Sequence, residues 1–316
     1  MKADYVIVGA GLTGLNLGRK LKSLDPNLKI SILEKSKSCG GRMATRRIND
    51  SKYDHGAQFI KNKDISQELI QFWQQENILQ KFPTQTFSAF CGIGGMTQLA
   101  KKIAENLEIS FNRKVTSISK NQVGWQIIDE VGEIVTTKQI VLTCPLPQSL
   151  DLLKASKIDF DFHLSNIHYA KALVYLVEFE TALDPKMNYQ ENFDQDIFSI
   201  CSQGEKGISS KSHYTVTMSE NWSEEHFSKS DENLLKISQD LLSAKLNSRK
   251  ILNSQIKKWK YSHPQKIWEK LYYSPEFGIY LAGDAFGGPS LTGALKSSNE
   301  LFEHLKSTYN PKENFQ

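Results

Sequence analysis

The 316-residue sequence predicts an α/β fold that opens with a β-α-β unit, and two observations carry this prediction. An apolar run at residues 5–8 is followed at once by a G-x-G-x-x-G pattern that begins at Gly9, and then by apolar residues at helical spacing. A second apolar run, at residues 30–33, ends at Glu34. Strand, glycine-rich turn, helix, strand and acid in this order are typical of the Rossmann-type domains that bind dinucleotides.

Each part of this unit has a mechanical reason. Gly9 allows the tight turn out of the strand, Gly11 lets the backbone approach a pyrophosphate, and Gly14 lets helix and strand pack closely. The helix N-terminus faces the phosphates, and the Glu34 carboxylate is placed to accept hydrogen bonds from ribose hydroxyls. The predicted cofactor-binding residues of this unit are Gly9, Gly11, Leu12, Thr13, Gly14, Glu34 and Lys35.

The segment after Glu34 favours FAD over NAD as the dinucleotide. Gly40 and Gly41 leave backbone amides accessible, and Arg42 offers a planar fork of donors for pyrophosphate oxygens. We therefore add Gly41 and Arg42 to the cofactor-binding residues.

A segment near the C-terminus also favours FAD. An apolar strand ends at Gly283 and Asp284, and a glycine-rich turn leads into a helical stretch at 292–305. Asp284 is placed to hold ribityl hydroxyls, and the helix dipole favours the negative charge of a reduced flavin. The alternative is that Asp284 caps a strand end and the glycines form a plain turn. The cofactor-binding residues predicted here are Gly283, Asp284, Leu291, Thr292, Gly293 and Ala294.

Six stretches along the chain resemble the renalase family of FAD-dependent oxidoreductases, and its bacterial members more than its animal ones. They are residues 40–47, 53–59, 94–100, 219–226, 259–264 and 283–289. The resemblance implies non-covalently bound FAD and an amine-oxidase-like, glutathione-reductase-like Rossmann domain interleaved with a mixed-sheet α+β substrate domain. It also implies oxidation of dihydronicotinamide isomers, reduced at ring position 2 or 6, to NAD(P)+. O2 would re-oxidise the flavin and give H2O2.

The two domains are expected to alternate along the chain. We assign residues 1–61, 95–147 and 275–316 to the FAD-binding domain, and residues 62–94 and 148–274 to the substrate domain.

Further elements are predicted within these domains. The predicted strands include a meander over 115–137, a separate buried parallel strand at 140–144, and strands at 172–179 and 213–218; residues 181–211 are expected to form a loop. By resemblance, Val115 places its backbone against the adenine; the alternative is an ordinary core valine.

The substrate slot is predicted from the chemistry of hydride transfer. Hydride transfer needs the donor carbon over flavin N5 in a dry slot, and a dihydronicotinamide has no proton that must leave with the hydride. We expect Gln58 and Phe59 beside the isoalloxazine ring, with Tyr261 and His263 also lining the slot. For these last two, a core aromatic and a loop histidine remain the alternatives.

Composition agrees with an enzyme of the cytoplasm. The net charge of +4 is too small and too dispersed to indicate a nucleic-acid partner, and no apolar run approaches the ~18 residues of a membrane span. Because the first predicted strand starts within five residues of Met1, we expect no cleavable signal peptide. The four cysteines are expected to be free thiols, and no metal site is expected. The expected partners are a small-molecule substrate and O2.

Two other functions remain open at this stage. One is another flavin oxidase, acting on an amine or, as a desaturase does, on a CH–CH bond. The other is a flavin-binding regulatory protein without significant turnover.

Overall fold

The computed structural model describes residues 1–62, 65–84, 87–246 and 249–311. Its strands are β1 (Lys2–Val8), β2 (Ile30–Glu34), β3 (Thr45–Ile48), β4 (Ser51–Asp54), β5 (Ile60–Lys61), β6 (Leu79–Phe82), β7 (Ala89–Gly92), β8 (Ile109–Phe111), β9 (Val115–Asn121), β10 (Gly124–Asp129), β11 (Ile134–Leu142), β12 (Tyr169–Phe179), β13 (Tyr189–Glu191), β14 (Ile197–Ser202), β15 (His213–Met218), β16 (Ile251–Pro264), β17 (Tyr273–Glu276) and β18 (Ile279–Leu281).

The α-helices are α1 (Leu12–Leu24), α2 (Gln67–Gln75), α3 (Met96–Ile103), α4 (Leu146–Ala155), α5 (Glu220–His226), α6 (Asp231–Lys245), α7 (Asp284–Gly287) and α8 (Leu291–Ser307), with 3-10 turns at Phe162–Asn166 and Pro185–Met187. Among the described residues, none of these helices is long and apolar enough to cross a membrane.

The chain forms two compact units. Unit 1 comprises Met1–Gly41, Ala100–His168 and His263–Gln316, and unit 2 comprises Arg42–Leu99 and Tyr169–Ser262. Residues 42–61 and 95–99, which the sequence analysis assigns to the FAD-binding domain, pack in unit 2. Residues 148–168 and 263–274, assigned to the substrate domain, pack in unit 1. The predicted boundaries between the FAD-binding and substrate domains, which are defined by function, stay a prediction.

Unit 1 is built on one sheet with the strand order β17-β18-β11-β1-β2-β8. Strand β1 pairs in parallel with both β2 and β11, and the outer pairs β2–β8 and β11–β18 are also parallel. The antiparallel meander β9-β10 joins the first half of β11, whereas β18 joins its second half. The Rossmann-type α/β fold predicted from the sequence is therefore present, and β1 lies at the centre of its sheet.

Close packing of α1 against this sheet depends on two glycines. A Cβ at Gly14 would lie 2.2 Å from the carbonyl oxygen of Gly9 and 3.1 Å from the Ile7 side chain. A Cβ at Gly18 would lie 3.2 Å from Ile32. Leu17, which occupies a position where such helices usually carry a small side chain, is fully buried. Gly18 provides the second close approach in its place.

Unit 2 contains a sheet with the order β13-β14-β15-β12-β16. The pairs β13–β14, β14–β15 and β12–β15 are antiparallel. One face packs into a core with α5 and α6 through residues such as Tyr175, Val216 and Trp222. The other face packs against the hairpin β3–β4 through Tyr53 and Leu176. A small separate sheet has the order β5-β7-β6.

The structure corrects two local predictions. The third meander strand and the parallel strand at 140–144 form the single strand β11, because residues 136–142 pair with β1 in one unbroken register. Residues 181–211 are not a loop throughout, since β13 and the largely buried β14 lie within them. Helix α2 is capped by the Ser66 side chain, which accepts a hydrogen bond from the Leu69 amide.

Candidate functional site

The glycine-rich turn lies at the carboxyl end of β1, the central strand of unit 1. Gly9 has φ of 109°, and a Cβ there would lie 2.8 Å from the Thr143 hydroxyl, so both backbone and space require glycine. A Cβ on Gly11 would have nothing within 4 Å, which leaves the backbone accessible to a ligand. Gly11 is also the N-cap of α1 and supplies no side-chain cap to the described first turn. The amides of this turn therefore suit an anion.

Glu34 ends β2 beside this turn and is nearly fully buried. Its Oε2 accepts a hydrogen bond from the Ala10 amide at 2.8 Å, and its Oε1 accepts one from the Ser36 amide at 2.8 Å. Each carboxylate oxygen has more than one lone pair, so these contacts leave acceptor capacity for a ribose hydroxyl. Glu34 therefore also holds the backbone of the glycine-rich turn.

The segment that follows brings two more glycines to the same place. The Gly40 amide donates to the Ala10 carbonyl at 2.8 Å, and Gly40 and Gly11 form an isolated parallel bridge. Gly41 has φ of 54°, and a Cβ there would lie 3.3 Å from Cα of Gly11. The predicted cofactor residues of the two segments are therefore adjacent within unit 1.

The C-terminal part of the predicted site begins where β18 ends. Gly283 has φ of 146° and its amide donates to the Ser297 hydroxyl, while Asp284 is buried at the start of α7. Gly287 and Gly293 lie so close that a Cβ on the former would be 1.8 Å from the carbonyl oxygen of the latter. This contact brings the one-turn helix α7 against the first turn of α8, which contains Leu291 to Ala294.

One threonine connects this region with the glycine-rich turn, and a second has a hydroxyl without a partner. The Thr13 hydroxyl lies 3.4 Å from the Ala294 carbonyl, which it can hydrogen-bond. The Thr292 hydroxyl is buried and, among the described residues, has no hydrogen-bond partner. A buried polar atom without a partner indicates an interaction that a bound group would complete.

The remaining cofactor candidates of unit 1 lie in different settings. The start of β9 at Val115 is buried and follows Arg113, whose amide donates to the Glu34 carbonyl at 2.9 Å. Lys35 is exposed, and its Nζ donates to Gln148 at 2.8 Å. Leu12 is the first residue of α1 and is buried.

Arg42, Gln58 and Phe59 belong to unit 2. The Arg42 guanidinium donates to the Ser262 carbonyl at 2.9 Å and lies 6.0 Å from the ring of Tyr169. Its fork of donors is therefore partly used within unit 2.

A fully buried ion pair, which sequence reasoning missed, organises the motif at 53–59. Lys206 Nζ donates to Asp54 Oδ2, and both side chains have no solvent exposure. The other carboxylate oxygen of Asp54 accepts hydrogen bonds from the Thr45 hydroxyl and from the Met96 amide. Burial alone lowers the pKa of Lys206, but the charge of Asp54 and the nearby Cys201 raise it, and the net direction is upward. Lys206 therefore remains a cation.

Gln58 is held by this network. Its Nε2 donates to the Asp54 carbonyl at 2.7 Å and to the Gly56 carbonyl at 3.2 Å. Its Oε1 accepts from Gln203 at 3.2 Å and from Lys206 at 3.4 Å. Both donor hydrogens and both lone pairs of the Gln58 amide are thus used within unit 2. In the structure, the Gln58 side chain therefore stabilises the backbone at 54–56.

The other slot candidates also have partners. Phe59 packs in an aromatic cluster, with its ring centroid 4.7 Å from that of Tyr189 in an edge-on contact. Tyr261 is half-buried in β16, edge-on to Tyr169 at 5.9 Å between ring centroids. His263 is half-buried near the end of the same strand.

His55 is the histidine of the motif at 53–59. Its ring stacks on Trp259 with 5.4 Å between ring centroids, and its carbonyl accepts a hydrogen bond from the Trp259 indole at 2.7 Å. Burial, together with the positive charges of Lys257 and Arg46, lowers the pKa of His55 to about 4. His55 is therefore neutral, and a weak base, at neutral pH.

Comparison with known families connects these observations. The sequence matches the NAD(P)-binding Rossmann-like domain family over residues 7–75 and the flavin containing amine oxidoreductase family over residues 66–299. It is 29% identical over 86 residues to the L-2-hydroxyglutarate dehydrogenase of Indibacter alkaliphilus, a match that covers 25% of this chain and 21% of that protein. The chain thus spans about a fifth of that relative's length.

Solved structures of the same fold cover nearly the whole chain. A proposed protoporphyrinogen oxidase from Exiguobacterium sp. 255-15 is similar at a TM-score of 0.76 and 14% identity, over 96% of this chain and 99% of that one. Putrescine oxidase bound to putrescine is similar at a TM-score of 0.74 and 13% identity, over 97% of this chain and 99% of that one. At these identities the likeness shows the fold alone.

The residues of unit 1 fit the cofactor of this family. Accessible backbone at Gly11, the amides at the start of α1 and the spare acceptor capacity of Glu34 suit a pyrophosphate and a ribose. The unpartnered hydroxyl of Thr292, at the start of α8, suits a further polar group of the same ligand. The chain belongs to the flavin containing amine oxidoreductase family, and its cofactor is FAD.

Proposed function

We propose that this protein oxidises dihydronicotinamide dinucleotides reduced at ring position 2 or 6. One hydride leaves the dihydropyridine ring, the substrate becomes NAD(P)+, and O2 takes up the two electrons with two protons to form H2O2. The hydride itself carries the two electrons and one of these protons, and the second proton comes from solvent. Bound FAD supplies the hydride acceptor.

The observation that supports this choice is that the Asp54 carboxylate already binds three donors within the protein. It is neutralised by the buried Lys206 and accepts further hydrogen bonds from Thr45 and the Met96 amide, which disfavours its protonation and makes it a poor general base. His55 is a weak base, because its pKa is about 4. An amine in its usual cationic form must lose a proton before it can lose a hydride, whereas a dihydronicotinamide needs no base. The lack of a good base among Asp54 and His55 therefore favours a dihydronicotinamide over an amine as the substrate.

The roles of the slot residues follow from their contacts. Tyr261 has a ring orientation limited by Tyr169, and we assign it, with His263, to the placement of the dihydropyridine ring. Gln58 acts as a positioning residue, because its amide holds the backbone around Gly56. Phe59 contributes an apolar wall that keeps water out.

Anaerobic mixing of the oxidised holoenzyme with the 2-, 4- and 6-dihydro isomers of NAD and NADP tests the proposal. The 2- and 6-dihydro forms should bleach the flavin absorbance within seconds. The 4-dihydro form should be at least ~100-fold slower, because a misplacement of ~1 Å already has an effect of that size.

Tyr261→Phe should slow the reduction step by about tenfold without changing FAD affinity. Tyr272→Phe, which removes a hydroxyl from unit 1 rather than from unit 2, should match the wild type. Rapid bleaching by an amine or by the 4-dihydro form, with none by the other isomers, would replace this function with that of another flavin oxidase. No bleaching by any of these compounds would favour a flavin-binding protein without turnover.

A further inference from the structure

The hairpin β3–β4 carries its two arginines on opposite faces. Arg46 lies directly across from Tyr53, and Arg47 lies across from Lys52. Because directly paired residues of a hairpin share a face, Arg46 shares the face of Tyr53. Tyr53 packs against the sheet of unit 2 in a cluster that also includes Trp259. Arg46 is therefore on the side of the hairpin that faces the sheet, and Arg47 is on the other side.

Lys257, in β16, lies on the face of the sheet that packs against the hairpin. It precedes Trp259 by two residues in the strand, so both side chains project from the same face of the sheet. Lys257 is half-buried there. Its neighbour Lys258 projects from the opposite face, where its Nζ donates to the Lys229 carbonyl at 2.6 Å and lies 3.2 Å from Asp231.

The positive charges on this face lower the pKa values of neighbouring groups. Burial, followed by the positive charge of Arg46, lowers the pKa of Lys257. Both cations also contribute to the lowered pKa of His55, whose ring stacks on Trp259. The negative charge of Asp231 raises the pKa of Lys257, but the Asp231 carboxylate is already paired with Lys258.

These cations have no partner of opposite charge at close range. Across residues 1–62, 65–84, 87–246 and 249–311, the side chains of Arg46 and Lys257 make neither a hydrogen bond nor an ion pair. The buried Nδ1 of His55 likewise has no hydrogen-bond partner in that part of the chain. Two neighbouring positive charges without counter-charges are unfavourable for the empty protein and favourable for a bound anion.

We propose that Arg46 and Lys257 form a phosphate-binding subsite on unit 2, beside the stacked pair His55–Trp259. The guanidinium offers a planar fork that matches two phosphate oxygens, and the ammonium adds a point charge. The subsite takes a phosphate or pyrophosphate group of a nucleotide. Its assignment to the substrate rests on the proposed function, whereas the binding of the anion does not.

The first test measures inorganic pyrophosphate binding to the FAD-loaded enzyme by titration calorimetry at low salt. Arg46→Gln and Lys257→Gln should each weaken binding by about tenfold, because each removes one charge-assisted contact worth roughly 1.4 kcal/mol or more. The matched controls are Arg47→Gln on the other face of the hairpin and Lys258→Gln on the other face of β16. Both should bind pyrophosphate within about twofold of the wild type. Equal binding by all four variants and the wild type would overturn the subsite.

The second test separates the subsite from the proposed function. Substrates reduced at ring position 2 are compared as riboside, mononucleotide and dinucleotide. Arg46→Gln and Lys257→Gln should raise KM about tenfold for the two phosphate-bearing forms, with kcat unchanged, and should leave the riboside unaffected. An equal rise in KM for the riboside would overturn the phosphate assignment. If no isomer reduces the flavin but the calorimetric pattern is found, the proposed function fails and the subsite stands.

Discussion

Lys206 donates a hydrogen bond to Asp54 across 152 residues of sequence, and both side chains are completely buried. Around this pair, the Asp54 carboxylate also accepts from Thr45 and the Met96 amide, while its carbonyl accepts from Gln58 and Thr215. Elements far apart in the chain are thereby joined at one residue of the motif at 53–59. Because a buried charge is costly without its partner, the network should be sensitive to single substitutions.

Replacement of Lys206 by methionine, which keeps the length of the side chain, should lower the free energy of unfolding by about 3–5 kcal/mol. The loss follows from an uncompensated carboxylate at Asp54, and urea denaturation measures it. Lys102→Met is the control, since Lys102 forms an exposed pair with Glu105 and should cost less than about 1 kcal/mol. Similar small losses in both variants would contradict the importance of the buried pair.

The same pair can be tested for coupling. In the double variant Asp54→Asn/Lys206→Met no buried charge is left unpaired, so its loss should be smaller than the sum of the two single losses by at least about 1 kcal/mol. Additive losses would show that the two side chains act independently.

Protonation of His55 should weaken the fold at acid pH. Burial and the nearby cations lower its pKa in the folded protein from 6.5 to about 4. Between these values the unfolded chain binds a proton that the folded chain does not, so stability rises from about pH 4 to pH 6.5 and falls as the pH decreases through that range. The contribution is about 1–3 kcal/mol.

His55→Phe keeps an aromatic ring against Trp259 but removes the titrating group. Its unfolding free energy should therefore fall less than that of the wild type between pH 7 and pH 4.5. Chemical denaturation at several pH values gives both curves, and parallel curves would contradict the assignment.

Glu34→Ala should weaken FAD binding by at least about tenfold while the protein still folds. The substitution removes a ribose acceptor, worth ~1.5–3 kcal/mol before solvent compensation, and also frees the amides of Ala10 and Ser36. Equilibrium dialysis measures the affinity, and the melting temperature of the apoprotein reports the structural part. Glu303→Ala, at an exposed acid of α8, is the control. Unchanged FAD affinity would show that Glu34 acts only on the turn.

FAD should be released completely on acid precipitation, with all the yellow colour in the supernatant. Covalent attachment needs an activated nucleophile, and the thiols do not supply one. All four cysteines are free, and burial raises the pKa of each of their thiols. The His55 ring is stacked on Trp259. A yellow pellet would contradict the prediction.

The β-α-β unit and its cofactor residues could be predicted from the sequence because their determinants are local. The turn after β1 needs positive φ at Gly9 and a missing side chain at Gly14, and both constraints act within a few residues. Glu34 follows the second apolar run directly. The predictions at 181–211 failed for the opposite reason. Strand β14 pairs with β15, but its short apolar run lies between largely polar flanks at 188–196 and 203–212, which conceal it in the sequence.

By itself, the sequence determined the Rossmann-type unit, because short-range backbone geometry specifies it, while motifs along the chain indicated the FAD cofactor and the flavin oxidoreductase class by resemblance. Only the tertiary structure decided that Gln58 uses its amide inside unit 2, that Lys206 neutralises Asp54, and that Arg46 and Arg47 face opposite ways. These relationships depend on the burial of charge and on strand pairing between distant segments. They cannot be predicted from the spacing of residues in the sequence, because desolvation and strand register arise only when the chain is folded.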